Sequence, residues 1–163
     1  MLHVAYIGIG SNLGDKKENC EKAVSELKKQ TNVCIGVVSN WYQSKALTIE
    51  NEQQPDYING AVKVQTDLLP LELLTILKKL ELQMGRVKSS KRWSPRIIDL
   101  DILFYDALVY KSNMLTIPHP EIEKRLFVIK PLCDIEPTLI HPVLKKSVKE
   151  LCLAIEISSG AIC

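Results

Sequence analysis

The stretch Arg96-Ile97-Ile98-Asp99-Leu100-Asp101-Ile102-Leu103-Phe104-Tyr105 sets two carboxylates inside an apolar run rich in β-branched and aromatic residues. Such a run reads as a strand. Side chains alternate between faces along a strand, so Asp99 and Asp101 share one face with Cα atoms roughly 6.6 Å apart. In a half-buried place, two carboxylates that close repel by up to about 4 kcal/mol at an effective dielectric of about 20. A cation must offset that repulsion. Immediately upstream, Arg86, Lys88, Lys91, Arg92 and Arg96 come with no acid among them. They can supply part of the charge, and Mg2+ with hard oxygen ligands suits the pair better. Either feature alone is ambiguous, because a D-x-D can be a solvated face and a basic run is usually a wet loop. Their adjacency, with Trp93 and Pro95 between them, points to phosphoryl transfer: cations grip phosphate oxygens while a metal neutralises charge at the reacting phosphorus.

Working outward, residues 3–9 read as a first strand. Asp15 serves as N-cap to a helix whose apolar face is Cys20, Ala23, Val24 and Leu27. Residues 33–42 are β-rich, and 57–66 alternate as a further strand. Pro70 opens a second helix with Leu73, Ile76, Leu77, Leu80 and Met84 buried, and Gly85 stops it. With the Asp99/Asp101 strand the order is β, α, β, β, α, β. This is the ferredoxin-like plait of α+β proteins, an antiparallel sheet with its helices packed on one face. From Asp106 onward the chain reads as a Pro-punctuated extension ending in a helix over 147–157. The polar stretches 43–54 and 85–94 read as long loops flanking the sheet, placed to close over substrates. Gly8-Ile9-Gly10-Ser11-Asn12-Leu13-Gly14 reads as a strand-to-helix turn that needs a permissive backbone, with Asn12 facing the site. It is not a dinucleotide fingerprint, because its third glycine comes one residue late, and no G-K-[S/T] follows.

The 163 residues are expected to form one domain, 1–163, burying roughly 68–70% of the unfolded surface. A net charge of +2 is too small for a dedicated nucleic-acid binder. No run approaches the ~20 apolar residues of a membrane span, and no basic-then-apolar leader is present. A cytoplasmic protein without a membrane partner is expected. Cys20, Cys34, Cys133, Cys152 and Cys163 are scattered without a C-x-x-C, which fits reduced and mostly buried thiols.

The segment Arg92-Trp93-Ser94-Pro95-Arg96-Ile97-Ile98-Asp99-Leu100-Asp101-Ile102 resembles the hallmark of the 6-hydroxymethyl-7,8-dihydropterin pyrophosphokinase family of folate biosynthesis. The resemblance extends through Ala5-Tyr6-Ile7-Gly8-Ile9-Gly10-Ser11-Asn12-Leu13-Gly14, Gln54-Pro55-Asp56-Tyr57-Ile58-Asn59 and Pro118-His119, in that order. It implies transfer of pyrophosphate from ATP to the hydroxymethyl group of the pterin, with release of AMP. It implies two Mg2+ ions on Asp99 and Asp101, with Arg92 and Arg96 neutralising charge during transfer. It implies ATP contacts from Glu81, Lys88, Trp93, Arg96, Ile102, Thr116, His119 and Arg125. The pterin side would be built from Ser44, Leu47, Tyr57, Asn59, Trp93, Asp99 and Phe127, with the segment 8–14 bordering the pocket. The chain departs from the family pattern at Lys88, commonly Arg, at Pro120, where Tyr is frequent, and at Lys78 and Met114, where polar ATP contacts can stand. Fusion to dihydropteroate synthase occurs in the family, so that enzyme is a candidate partner. Two other readings of the same plait were weighed. A two-metal nucleotidyl transferase requires affinity for a nucleic-acid strand, which the charge does not support. An RNA-binding module wants aromatics in an R-G-F-x-F-like run, which the sequence lacks.

Overall fold

The computed structural model describes residues 1–45, 55–85 and 96–158. Residues 46–54 and 86–95, which hold most of the expected loops 43–54 and 85–94, fall outside the described residues, and with them Leu47, Lys88, Arg92 and Trp93.

Five strands form the main sheet: β1 (His3–Ser11), β2 (Val33–Val38), β3 (Tyr42–Ser44), β4 (Tyr57–Thr66) and β5 (Asp99–Tyr105). Their order is β2-β4-β1-β5, with β3 also pairing on β4, and every pairing is antiparallel. The order places the first and third strands of the plait at its centre, as a split βαβ arrangement requires. The stretch 33–42 is broken at residues 39–41 into β2 and β3, so the polar stretch read as a loop from residue 43 begins as strand.

Two helices cover one face of the sheet. α1 (Lys16–Lys28) starts at Asp15, whose carboxylate accepts the Glu18 N–H at 3.1 Å, and it buries Cys20, Ala23, Val24 and Leu27. α2 (Pro70–Gln83) opens on proline, buries Leu73, Leu77 and Leu80, and is followed by Gly85 at φ +97. That positive φ is why a glycine ends the helix. These helices pack on Ala5, Ile7 and Ile9 of β1, Val62 and Val64 of β4, and Leu100 and Ile102 of β5.

The extension covers the opposite face, a position its sequence did not specify. A two-stranded ribbon, β6 (Tyr110–Lys111) with β7 (Thr116–Ile117), leads to α3 (Leu126–Ile135) and then α4 (Val148–Ser158). α3 and α4 bury Ile129, Leu132, Val148 and Leu151 against Tyr6, Ala61, Leu103 and Phe104. One extra residue in β5 allows this. Ile7 pairs with Ile102 and Tyr6 with Phe104, so Leu103 bulges out and both it and Phe104 turn to the second face.

α3 was not expected. Pro131 lies inside it, and its β-branched start, Phe127-Val128-Ile129, reads as extended. Burial of Ile129 and Leu132 outweighs the local preference. The thiols also depart from expectation at one point: Cys20 and Cys152 are buried, but Cys34 lies exposed on the edge strand β2.

Candidate active site

The second face of the sheet is open at one end, between the ends of β1, β4 and β5 and the start of α3. The glycines of β1 make this possible. Gly8 pairs across the sheet with Asp101 and Gly10 with Asp99, so the carboxylates stand beside positions that carry no side chain. Neither glycine has positive φ; of the G-x-G run only Gly14 does, at +71. The turn expected at Gly8 and Gly10 is therefore strand, and their use is to leave space. An open cleft lined by charged, amide and aromatic side chains results.

The cleft brings together eight of the residues singled out in sequence: Tyr57, Asn59, Arg96, Asp99, Asp101, His119, Arg125 and Phe127. Tyr57 and Asn59 stand on one face of β4 as their spacing predicted. A Cβ on Gly10 would lie 3.1 Å from Asn59 Oδ1 and 3.6 Å from the Tyr57 ring. Ser44 does not line the cleft. It accepts a hydrogen bond from Asn59 Nδ2 at 2.7 Å, which fixes the orientation of that amide.

Each carboxylate of the pair has a cation beside it. The Arg96 guanidinium is 3.4 Å from Asp99 Oδ1, and Lys78 Nζ is 3.9 Å from Asp101 Oδ1. Among the described residues no group of three or more His, Cys, Asp or Glu side chains is arranged to hold a metal. Mg2+ does not need one, since it takes one or two carboxylates and completes its octahedron with water and substrate phosphates. Asp99 and Asp101, sharing one face of a cleft rimmed by Arg96, Arg125 and His119, fit that donor set.

His119 follows the cis Ile117–Pro118 peptide, and its N–H is held by the Leu103 carbonyl at 2.9 Å. Its Nδ1 accepts the Glu121 N–H at 3.2 Å. An accepting Nδ1 places the proton on Nε2. Burial holds the ring below its ordinary pKa, which keeps it neutral. Arg125 is the N-cap residue of α3. It pairs with Glu121 at 3.2 Å and lies 5.9 Å from the Phe127 ring centroid.

Three expected nucleotide contacts do not line the cleft. Ile102 has its side chain in the α1/α2 core, and Thr116 sits on β7. Glu81 is buried with its carboxylate on the Leu100 N–H at 2.7 Å. Conversely, Lys45, Leu103 and Val128 line the cleft without having been singled out as its lining, and Gly8 and Gly10 line it on the segment that the resemblance sets beside the pterin pocket. Asn12, noted in sequence only as facing the site, is fully buried. Its N–H donates to the Arg96 carbonyl, its Oδ1 accepts the Arg96 N–H at 2.7 Å, and its Nδ2 reaches the Pro55 carbonyl at 3.4 Å. It ties together the residues at which the described chain resumes after 46–54 and after 86–95.

Residues 6–137 match the family model of 7,8-dihydro-6-hydroxymethylpterin-pyrophosphokinase. The chain belongs to this pyrophosphokinase family. A pyrophosphokinase from Aquifex aeolicus, 2-amino-4-hydroxy-6-hydroxymethyldihydropteridine pyrophosphokinase, is 43% identical over 149 residues, covering 91% of this chain and 90% of that one. The folic acid synthesis protein fol1 of Schizosaccharomyces pombe is 38% identical over 147 residues, but the match covers only 20% of its length. Among solved structures, HPPK-DHPS of Plasmodium falciparum superposes with a TM-score of 0.76 at 16% identity, over 99% of this chain and 46% of that one. The last similarity establishes the plait. The first two place the chain among the pyrophosphokinases of folate synthesis, enzymes with ATP as co-substrate. No helix among the described residues is long and apolar enough to cross a membrane.

Proposed function

We propose that this chain transfers the pyrophosphoryl group of ATP to 6-hydroxymethyl-7,8-dihydropterin, with Asp99 and Asp101 holding Mg2+ against the nucleotide. The observation that carries the reading is the pair of carboxylates on one sheet face, at the floor of a cleft that also holds Tyr57, Asn59 and Phe127. Bound there, the metal would draw charge from the phosphate oxygens and lower the pKa of the attacking hydroxyl.

The pterin lies against Tyr57 and Phe127, whose rings offer flat walls. Asn59, with its amide held by Ser44, presents a fixed polar edge to the donor–acceptor pattern of the heterocycle. His119 offers a neutral Nε2–H to a phosphate oxygen, and Arg96 and Arg125 offer guanidinium forks. The hydroxymethyl oxygen bonds to the β-phosphorus as the bond from that phosphorus to the α-phosphate oxygen breaks, so that AMP leaves. Positioning and charge neutralisation carry such a transfer, and a dedicated general base is not required. By the family resemblance, Arg92 is assigned to charge neutralisation during transfer, Lys88 to ATP, Leu47 to the pterin and Trp93 to both substrates.

We read residues 1–163 as one catalytic domain, working in the cytoplasm, where a nucleotide co-substrate and unpaired cysteines belong. ATP, Mg2+ and the hydroxymethyldihydropterin, followed for nucleotide products, test the activity. AMP is expected in amounts equal to the pterin diphosphate. Release of ADP or inorganic pyrophosphate instead would refute it.

A further inference from the structure

Leu100 lies between the two aspartates on β5, the outermost strand of the path β2-β4-β1-β5. It is fully buried, so the backbone groups it turns away from β1 need partners other than water. α2 supplies both. Glu81 Oε1 accepts the Leu100 N–H at 2.7 Å, and Lys78 Nζ donates to the Leu100 carbonyl at 3.0 Å. The two side chains meet at 3.0 Å, and Lys78 Nζ also approaches Asp101 Oδ1 at 3.9 Å. An acceptor and a donor offered together at one edge residue are what an adjoining strand would provide.

Glu81 occupies this place against two tendencies. Its side chain is only 3% exposed, and it sits in the last turn of α2, where the helix dipole disfavours a carboxylate. Lys78, three residues earlier on the same helix face, offsets the charge. Neither residue lines the cleft; both meet β5 at Leu100, and Lys78 also approaches the cleft-lining Asp101.

We propose that Glu81 and Lys78 are positioning residues for the acidic pair. By completing the edge of β5 at Leu100 they fix the backbone from which Asp99 and Asp101 project, and Lys78 adds a cation beside Asp101. The inference rests on reading Asp99 and Asp101 as the phosphate-site carboxylates. Without the clamp, the Leu100 N–H and carbonyl that face away from β1 lose these two side-chain partners, and the backbone between the two carboxylates is held less firmly.

Three variants of the full chain test this: Glu81→Leu, Glu81→Gln and Lys78→Met. In Glu81→Leu, kcat is expected to fall about 10- to 100-fold, the range for losing a partner behind a ligand, with KM for ATP and pterin little changed. Glu81→Gln keeps an acceptor for the Leu100 N–H and recovers most of that loss. Hydrogen exchange at the Leu100 amide, which is independent of turnover, is expected to be slow in the wild type and in Glu81→Gln and fast in Glu81→Leu. Lys78→Met sits at a half-exposed position that the fold tolerates. A smaller loss confined to kcat is expected there, and it decides the matter if Glu81→Leu does not fold. A raised KM for ATP with unchanged kcat would make these residues nucleotide contacts and overturn the proposal. Wild-type turnover in the folded variants would overturn it too. If Asp99→Ala is then inactive, only the clamp is lost; if Asp99→Ala also turns over normally, the reading of the carboxylates goes with it.

Discussion

A methyl group on Gly10 would stand 3.1 Å from Asn59 Oδ1, in the position where that amide is held by Ser44. Gly10→Ala is therefore expected to displace the Asn59 amide and raise KM for the pterin about tenfold, equivalent to about 1.4 kcal/mol, with KM for ATP unchanged. Steady-state kinetics with each substrate varied in turn measure it. His141 gives a second residue-level expectation. It is buried, its Nδ1 accepts the N–H groups of Val143 and Leu144, and burial lowers its pKa from the ordinary 6.5 of a histidine. As pH falls through that value the unfolded chain takes up a proton that the folded ring resists. The contribution of the ring to stability is thus complete above 6.5 and lost as pH falls towards the folded pKa. Urea unfolding from about pH 7.5 to about pH 5.5 should show a decline that His141→Asn reduces. At this scale the sequence singled out eight side chains that the structure brings to one cleft, because Asp, Asn, Tyr and His at motif spacing carry their chemistry with them. It did not identify Gly8 and Gly10 as the space for the ligand, since a missing side chain acquires meaning only from the residue across the strand.

Among the elements, the break between β2 and β3 sets Trp41 against Gly60 of β4, where a Cβ would lie 2.4 Å from the ring. The ring has no flexible end to move aside. Gly60→Ala is expected to destabilise the fold by about 1–3 kcal/mol, read as a lower urea midpoint. Strong periodic elements were legible: β4 and both plait helices follow the alternation and spacing of their apolar residues. α3 was not, because Pro131 breaks the expected helical run and only the packing of Ile129 and Leu132 on the second face restores it. That omission mattered for the site. Phe127 was expected with Tyr57 on the pterin side and Arg125 on the ATP side; α3 carries both, together with Val128 and with Arg125 at its N-cap.

For the whole molecule, the plait could be written down from element order alone, and the sheet order agrees with it. What element order could not supply was the second layer. Nothing local in the extension says which face it covers; the bulge at Leu103, visible only once β1 and β5 are paired, turns Leu103 and Phe104 towards it. The extension thereby buries half of the second face and leaves the other half open as the cleft, with His119, Arg125 and Phe127 on its rim. Catalysis on this account depends on two layers meeting over one end of a sheet, with the acidic pair at the junction. The most direct measurement is a crystal grown with Mn2+ in place of Mg2+ and an unreactive ATP analogue, examined for anomalous scattering. The account predicts metal peaks bonded to the Asp99 and Asp101 carboxylates and to the analogue's phosphates, on the sheet face shared with Tyr57 and Asn59. A nucleotide seated in the cleft with its metal remote from both carboxylates would contradict it.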